Sequence, residues 1–366
     1  MYDVIVIGGG PAGTSAAITC ARGGARVLLL ERGRFPRHKV CGEFVSSESL
    51  GLLADLLATE HAALLSAAIR IPQSRIFLDE HTLHASVDPP AASIARFDLD
   101  AALWDSAQNC GVACLQQTSV QSISGTGPFS IKTSGAVFET RALINASGRW
   151  SNLTSSFSER ADSSAKWIGL KAHFAETSPP ASVDLYFFDG GYCGVQPVDL
   201  ADERSGRINA CAMVRADVAT TLPEVFLCHP QLQERSRKWK PLGDPVTTSP
   251  LVFREPQPER DGILMVGDAA AFVDPFVGDG ISLALRSGRM AGDSLMSFFA
   301  GKMSLPEAAG NYRATYERHL APVFRASSKI RRMLRLPQTV RSPILGLLQK
   351  SPAITRYIVR KTRLVA

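Results

Sequence analysis

No run of apolar residues in this 366-residue chain approaches the roughly 20 that a membrane-crossing helix requires, so no helical span is expected. There is no Cys-x-x-Cys pair either. The seven cysteines (Cys20, Cys41, Cys110, Cys114, Cys193, Cys211 and Cys228) are scattered and odd in number. They offer neither a metal-ligand spacing nor a disulfide framework, and they read as reduced thiols of a cytoplasmic protein. A secretory signal is not expected at the amino terminus, because Asp3 interrupts it and a glycine-rich turn follows at once. Acid is missing from the last part of the chain: from Ala321 onward there are eleven Lys or Arg residues and no Asp or Glu. The net charge of +6 therefore belongs to this tail, and the body before it is net acidic. No module that reads nucleic acid accompanies the basic residues, which argues against a nucleic-acid partner.

Two glycine motifs at opposite ends of the sequence carry the chemistry. The first is Gly8-x-Gly10-x-x-Gly13, between an apolar strand (Tyr2 to Gly8) and a small-residue helix (Pro11 to Gly23). A second strand, Ala25 to Glu31, then ends in an acid. This order is a dinucleotide fingerprint. Gly8 makes the turn, Gly10 lets backbone approach a pyrophosphate, Gly13 permits close helix packing, and Glu31 accepts from ribose hydroxyls. The second motif follows the strand Gly262 to Val266 and reads Gly267-Asp268-x6-Pro275-x2-Gly278-x-Gly280, opening a helix from Ile281 to Met290. A carboxylate at a strand end can accept from ribitol hydroxyls. A helix amino terminus aims free N–H groups at the electron-accepting edge of a flavin ring and stabilises negative charge there.

Between the motifs, helices are expected over Leu50 to Leu65 and over Phe97 to Cys110, the latter capped by Asp98. A helix near Leu222 to Cys228 is also expected. Strands are expected over Ile69 to Ser93, Val112 to Ile144 and Lys166 to Val214, with a turn at Asn145 to Trp150. After Leu305 the chain reads as helical, with Ser342-Pro343 and Ser351-Pro352 as cap-plus-first-turn pairs. The expected architecture is α/β. A doubly wound, Rossmann-like FAD-binding domain spans 1–68, 96–165 and 251–300, and a sheet-rich substrate domain spans 69–95 and 166–250. A basic helical region covers 301–366.

These motifs, with Arg96-Phe97-Asp98-Leu99-Asp100, resemble the p-hydroxybenzoate hydroxylase-fold flavoproteins over roughly residues 1–300. That resemblance implies noncovalent FAD, with Arg96 near the cofactor and Asp268 on the ribitol. Arg37-His38-Lys39-Val40-Cys41-Gly42-Glu43 is most similar to the geranylgeranyl reductase and flavin-dependent dehydrogenase branch, whose Lys-x-Cys-Gly loop places the cysteine beside the flavin ring. Phe35-Pro36-Arg37 with Gly42-Glu43 is also similar to flavin-dependent halogenases. The halogenase Trp-x-Trp-x-Ile-Pro motif is absent, Gly191 to Pro197 standing at its expected place, and no lysine lies between Lys39 and Lys132. Both absences disfavour halogenation. Ser147-Gly148 stands where many aromatic hydroxylases of this fold carry Asp-Gly, which weighs against direct NADPH-dependent hydroxylation.

The residues expected around the cofactor are therefore Gly8, Gly10, Pro11, Ala12, Gly13, Glu31, Arg32, Cys41, Gly42, Arg96, Ser147, Gly267, Asp268, Pro275, Gly278, Gly280 and Ile281. Cys41 and Tyr192 are the candidate catalytic groups, Cys41 set against the plainer reading of a small packed residue, and His173 reads as an ordinary sheet histidine. The expected activity is that of an FAD-dependent oxidoreductase moving a hydride between flavin and a hydrophobic small molecule. The alternative is a monooxygenase that hydroxylates or epoxidises such a substrate through a flavin hydroperoxide. A flavin-binding protein without redox turnover is a third reading. Electrons come from NAD(P)H or from a partner reductase or carrier. The basic tail reads as helices packed on the body, or as a site for anionic membrane lipid or for an acidic carrier delivering the substrate.

Overall fold

The computed structural model describes residues 1–149, 166–200, 205–248, 250–251 and 253–334, with a few positions from 336 to 346. Trp150 and Ser351-Pro352 lie outside the described residues. The chain begins with β1 (Tyr2–Ile7), whose last four residues are buried, as suits a strand covered on both faces. It turns at Gly8 into α1 (Pro11–Arg22), which opens on a proline, and continues into β2 (Val27–Leu30), buried throughout. A long antiparallel pair follows, β3 (Ile69–Leu78) and β4 (His81–Ser93), and then α2 (Arg96–Asn109). After three short strands at 113–115, 120–124 and 129–133, β5 (Val137–Asn145) returns beside β1. An antiparallel run comes next: β6 (Trp167–Thr177), β7 (Ser182–Phe188), β8 (Gly191–Leu200) and β9 (Ser205–Arg215). The chain then re-enters the first sheet at β10 (Ile263–Met265) and continues through α3 (Gly280–Phe299), α4 (Leu305–His319) and α5 (Ala321–Leu334).

Among the described residues these strands form two sheets. The first has the parallel core β10–β5–β1–β2, with Ile7 opposite both Leu30 and Asn145. Its strands point their carboxyl ends at one edge, where the glycine turns lie. On its face, α1 and α3 approach closely because their facing residues are small. A Cβ on Gly288 would sit 2.1 Å from the Ala12 carbonyl oxygen. The second sheet runs β6–β9–β8–β7–β3–β4. Alternation gives it two different faces. Ala172, Val195 and Ala210 pack beneath the helices Leu222–Leu227 and Pro230–Ser236, whereas Lys171, Tyr192, Gln196 and Asn209 take the opposite positions.

Three sequence expectations are corrected. The helix over Leu50 to Leu65 is two short helices, Leu50–Leu56 and Ala62–Ser66, separated by a tighter turn. Asp98 does not cap α2. That helix starts at Arg96, whose backbone N–H is satisfied from far away by the Glu43 carboxylate at 2.9 Å, so the cap is tertiary. The helix of the second motif runs from Gly280 to Phe299, well past Met290.

Candidate functional site

The carboxyl edge of the first sheet opens into a single cleft of about 910 Å³ that continues between the two sheets. Gly8, Gly10, Pro11 and Ala12 line it from the first turn, and Ser147 lines it from the turn after β5. Gly8 has φ +107°, and a Cβ there would strike the Ala146 carbonyl. Gly13 faces inward instead: its Cβ would lie 1.8 Å from the Gly8 carbonyl oxygen. Gly10 differs from both, since the nearest atom to an added Cβ is Arg96 Nη2 at 3.8 Å. That open space before the amino terminus of α1 fits the pyrophosphate of a dinucleotide.

Glu31, at the end of β2, is buried and accepts from the Gly9 N–H (2.9 Å) and the Gly33 N–H (2.7 Å), with Arg37 Nη2 at 2.9 Å. Burial alone would raise its pKa, but the Arg37 charge and these amides together hold it below the ordinary value. Its place in the lining, beside exposed Arg32, leaves it facing the expected adenosine end. Arg96 is clamped by Asp100, with Nε and Nη2 at 2.6 and 2.7 Å from the two carboxylate oxygens. At the far end of the cleft come Gly267, Asp268, Pro275, Gly278, Gly280 and Ile281. Gly280 begins α3, and nothing lies within 4 Å of a Cβ placed there. Burial raises the Asp268 pKa, opposed by Arg149, whose Nε lies 3.8 Å away.

Lys39 lines the same cleft. Burial, with Arg37 and Arg96 as like-charged neighbours, lowers its pKa to about 8. A folded-state pKa below the unfolded one penalises the protonated form, so this group costs stability below pH 8 and ceases to do so as pH rises. A bound pyrophosphate reverses that preference. FAD affinity is therefore expected to fall by about tenfold or more between neutral pH and a pH well above 8. Fluorescence-quenching titrations of apoprotein check this. A Lys39→Met protein that keeps the same pH dependence would remove Lys39 from the cause.

The loop carrying Cys41 is pinned at every point. Asn209 Nδ2 donates to the Cys41 carbonyl at 2.9 Å, and the Glu43 N–H donates to Cys41 Sγ at 3.3 Å. The Glu43 carboxylate accepts from the Arg96 N–H and from Lys171 Nζ, and pairs with His173 Nε2 at 2.8 Å. Burial would raise the Glu43 pKa, but His173 and Lys171 outweigh it and hold it low. Ser46 Oγ donates to Asp279, next to the start of α3. Cys41 and Gly42 thus form one wall of the cleft, held between both sheets.

Beyond this wall the cleft becomes apolar. Ile76 and Leu78 of β3, Leu185 and Phe187 of β7, Phe272 and Phe276 enclose it. Tyr192 of β8, 6% exposed, packs its ring 5.3 Å from Phe187 and 6.0 Å from Phe276. Burial pushes its pKa well above the ordinary value, so its hydroxyl stays protonated. The roof comes from α5 through Ile330, Met333 and Leu334, with Lys329 exposed at the rim. Arg331 fastens that roof, stacked 3.8 Å from the Phe253 ring centroid and 3.8 Å from Asp274.

Every residue expected at the cofactor lines this cleft except Gly13, which shapes the turn behind it. The sequence model of the "FAD dependent oxidoreductase" family matches residues 3–44, the segment from β1 through Phe44. A digeranylgeranylglycerophospholipid reductase 2 of Methanopyrus kandleri is 26% identical over 80% of this chain and 76% of its own. The chain is thus similar to FAD-dependent oxidoreductases. A second relative, a 1H-pyrrole-2-carbonyl-[peptidyl-carrier protein] brominase of Pseudoalteromonas luteoviolacea, is 23% identical over 82% of this chain and 78% of its own. The solved flavin-dependent brominase Bmp2 shares the fold, with a TM-score of 0.78 at 21% identity over 99% of this chain and 93% of that one. Among the described residues no helix is long and apolar enough to cross a membrane, and all seven cysteines are free.

Sequence reasoning missed the Glu43–Lys171–His173 cluster and the roof supplied by α5. The cluster leaves no local signal, because Glu43 lies 128 and 130 residues before its two partners and only the tertiary fold unites them. The roof had a signal in the apolar positions of α5, which were read as packing on the body. His173 does sit as a hydrogen-bonded sheet histidine, 6% exposed and outside the cavity lining.

Proposed function

We propose that this protein is an oxidoreductase of the reductase or dehydrogenase type and moves a hydride between flavin and a hydrophobic small molecule. The carrying observation is the continuity of the polar, cation-lined cleft with an apolar chamber in one cavity of about 910 Å³. Such a chamber with few polar groups is the ordinary form of a site for an apolar ligand. FAD, when bound, supplies the two-electron acceptor or donor. The α1 turn, Lys39 and Arg96 would bind its pyrophosphate, and Asp268 its ribitol. The N–H groups at the start of α3 would hold negative charge at the ring. Cys41 Sγ and the Tyr192 hydroxyl are the two groups on the chamber side positioned to hold or deliver a proton, and Phe272 and Phe276 exclude water.

A second reading is oxygen-consuming chemistry on the same substrate class: hydroxylation, epoxidation or halogenation. Similarity to a sequence relative and to a solved structure named as brominases supports it, while the absence of any lysine between Lys39 and Lys132 weighs against halogenation. The electron donor is NAD(P)H or a partner reductase. A carrier-delivered substrate is compatible with a rim lysine at the cavity mouth. Burial of Val323, Phe324 and Ser327 supports α5 as packed structure more than as a free membrane-binding face.

Reduction of the protein under strict anaerobiosis, followed by addition of candidate unsaturated apolar compounds, separates the two readings. Reoxidation of the flavin with saturation of the substrate supports the reductase. Turnover that needs oxygen, with or without halide, sinks it. In the reductase case Cys41→Ser is expected to slow reoxidation by about 100-fold, within the range that positioned proton transfer contributes. Unchanged turnover removes Cys41 from the mechanism.

A further inference from the structure

We infer that Gly194 is the specificity-determining position of the apolar chamber: its bare backbone seats a flat ring of the substrate, and Gln196 beside it accepts from an O–H or N–H on that ring. This rests on the reading of the chamber as the substrate site. A glycine inside a strand costs stability, and it marks a bulge, a second backbone lying close, or a ligand lying close. At Gly194 of β8 the pairing is regular on both sides, to Leu185 of β7 and to Cys211 of β9, so there is no bulge. Among the described residues no foreign backbone presses on it either. A Cβ there would meet Leu185 Cδ2 at 3.3 Å and the carbonyl oxygen of its own ladder partner, Cys211, at 3.7 Å. Leu185 borders the chamber and its methyl can turn, so packing does not demand a glycine. Other glycines of this sheet differ. A Cβ on Gly169 would meet Thr248 and Val40 at 3.0 Å, and one on Gly191 the Met213 carbonyl oxygen at 2.6 Å.

What remains for Gly194 is a ligand. It lines the cavity together with Tyr192 and Gln196, two residues to either side and therefore on the same face of β8. On the Tyr192 side stand three rings in mutual contact, Phe187, Tyr192 and Phe276, with centroids 5.3 to 6.0 Å apart. They offer edges and faces to a ring lying on Gly194. On the other side Gln196 is 2% exposed. Its Nε2 donates to Ser93 Oγ at 2.6 Å, and its Oε1 accepts from no group among the described residues. A buried acceptor left alone costs free energy that a donor on the ligand recovers. Gln196 lies about 7 Å along the strand from Gly194. Opposite it stands Asn209, which holds the Cys41 carbonyl, so the donor-bearing edge of the ring faces the Cys41 wall. A plain alkyl chain uses neither feature, being narrow enough to pass an added side chain and bringing no donor.

The test is equilibrium binding to the FAD-loaded protein, read from the perturbation of flavin absorbance. The probes are 2-naphthol, 2-methylnaphthalene and, as a chain without a donor, methyl octanoate. Wild-type protein is expected to bind 2-naphthol about fivefold more tightly than 2-methylnaphthalene. Gly194→Val suits a strand and is expected to keep FAD. It should weaken both naphthalenes by about tenfold or more, and methyl octanoate by no more than about threefold. Gln196→Leu should bring the two naphthalenes to equal affinity. Should Gly194→Val fail to fold, Gly194→Ala asks less of Leu185 and must still weaken the naphthalenes by about threefold. Unchanged naphthalene affinity in a folded Gly194 variant, an equal loss for methyl octanoate, or a naphthol preference that survives Gln196→Leu overturns the inference. If no probe binds the wild-type protein, the chamber reading itself falls and takes the inference with it. Oxygen-dependent turnover sinks the hydride chemistry alone and leaves the binding result intact.

Discussion

Gly13→Ala is expected to yield protein that retains no FAD and is less stable by about 3 kcal/mol. The added Cβ would stand 1.8 Å from the Gly8 carbonyl oxygen and 3.1 Å from Ala146 Cβ. Both are parts of the central turn, where β1 ends and the turn after β5 crosses it, so neither can move without opening the sheet. The displaced atoms are also those that shape the pyrophosphate cradle, and stability and cofactor binding must fall together. Gly10→Ala provides the contrast. Its Cβ meets no protein atom closer than 3.8 Å and projects into the cleft, so that variant should fold normally and lose affinity only. Flavin absorbance of the purified proteins and chemical denaturation of their apo forms give the two readings. A stable, yellow Gly13→Ala protein would contradict the packing described for this turn.

The contrast between Gly13 and Gly10 also marks what was legible in the sequence. The spacing of the three glycines, with strands on either side and an acid after the second, carries enough local information to fix turn, helix and sheet order. The sheet alternation that puts Tyr192 and Gln196 on one face and Val195 on the other is equally local. What stayed hidden was long-range. Asp98 had the position and chemistry of a cap, yet the Arg96 N–H found Glu43, 53 residues earlier, and the helix began there. No periodicity announces that pairing, because the buried charges of Glu43 and Lys171 make sense only once β6 lies against the Cys41 loop. The role of α5 was hidden for a related reason. An amphipathic pattern states that one face is covered, but not whether core or an open chamber lies beneath it.

The largest electrostatic effect is expected at Asp100. Its carboxylate is fully buried and takes both ends of the Arg96 fork, while Arg96 itself is only 14% exposed. Burial would lower the Arg96 pKa, but the Asp100 charge more than offsets it and holds the guanidinium charged. Asp100→Ala leaves that cation buried without its counter-ion and should cost about 3–5 kcal/mol. Replacing both partners, Arg96→Met with Asp100→Leu, should recover most of that loss, since two apolar groups need no desolvation repaid. FAD affinity should behave in the opposite way. In the single variant the cation remains at the cleft and binding is impaired only as far as the fold is; in the double variant the fold recovers while the cation facing Gly10 is gone. Denaturation and FAD titration of the same three proteins should therefore rank them in different orders. Were the two rankings to coincide, Arg96 would be a structural residue alone, and the pyrophosphate site would have to be sought elsewhere in the cleft.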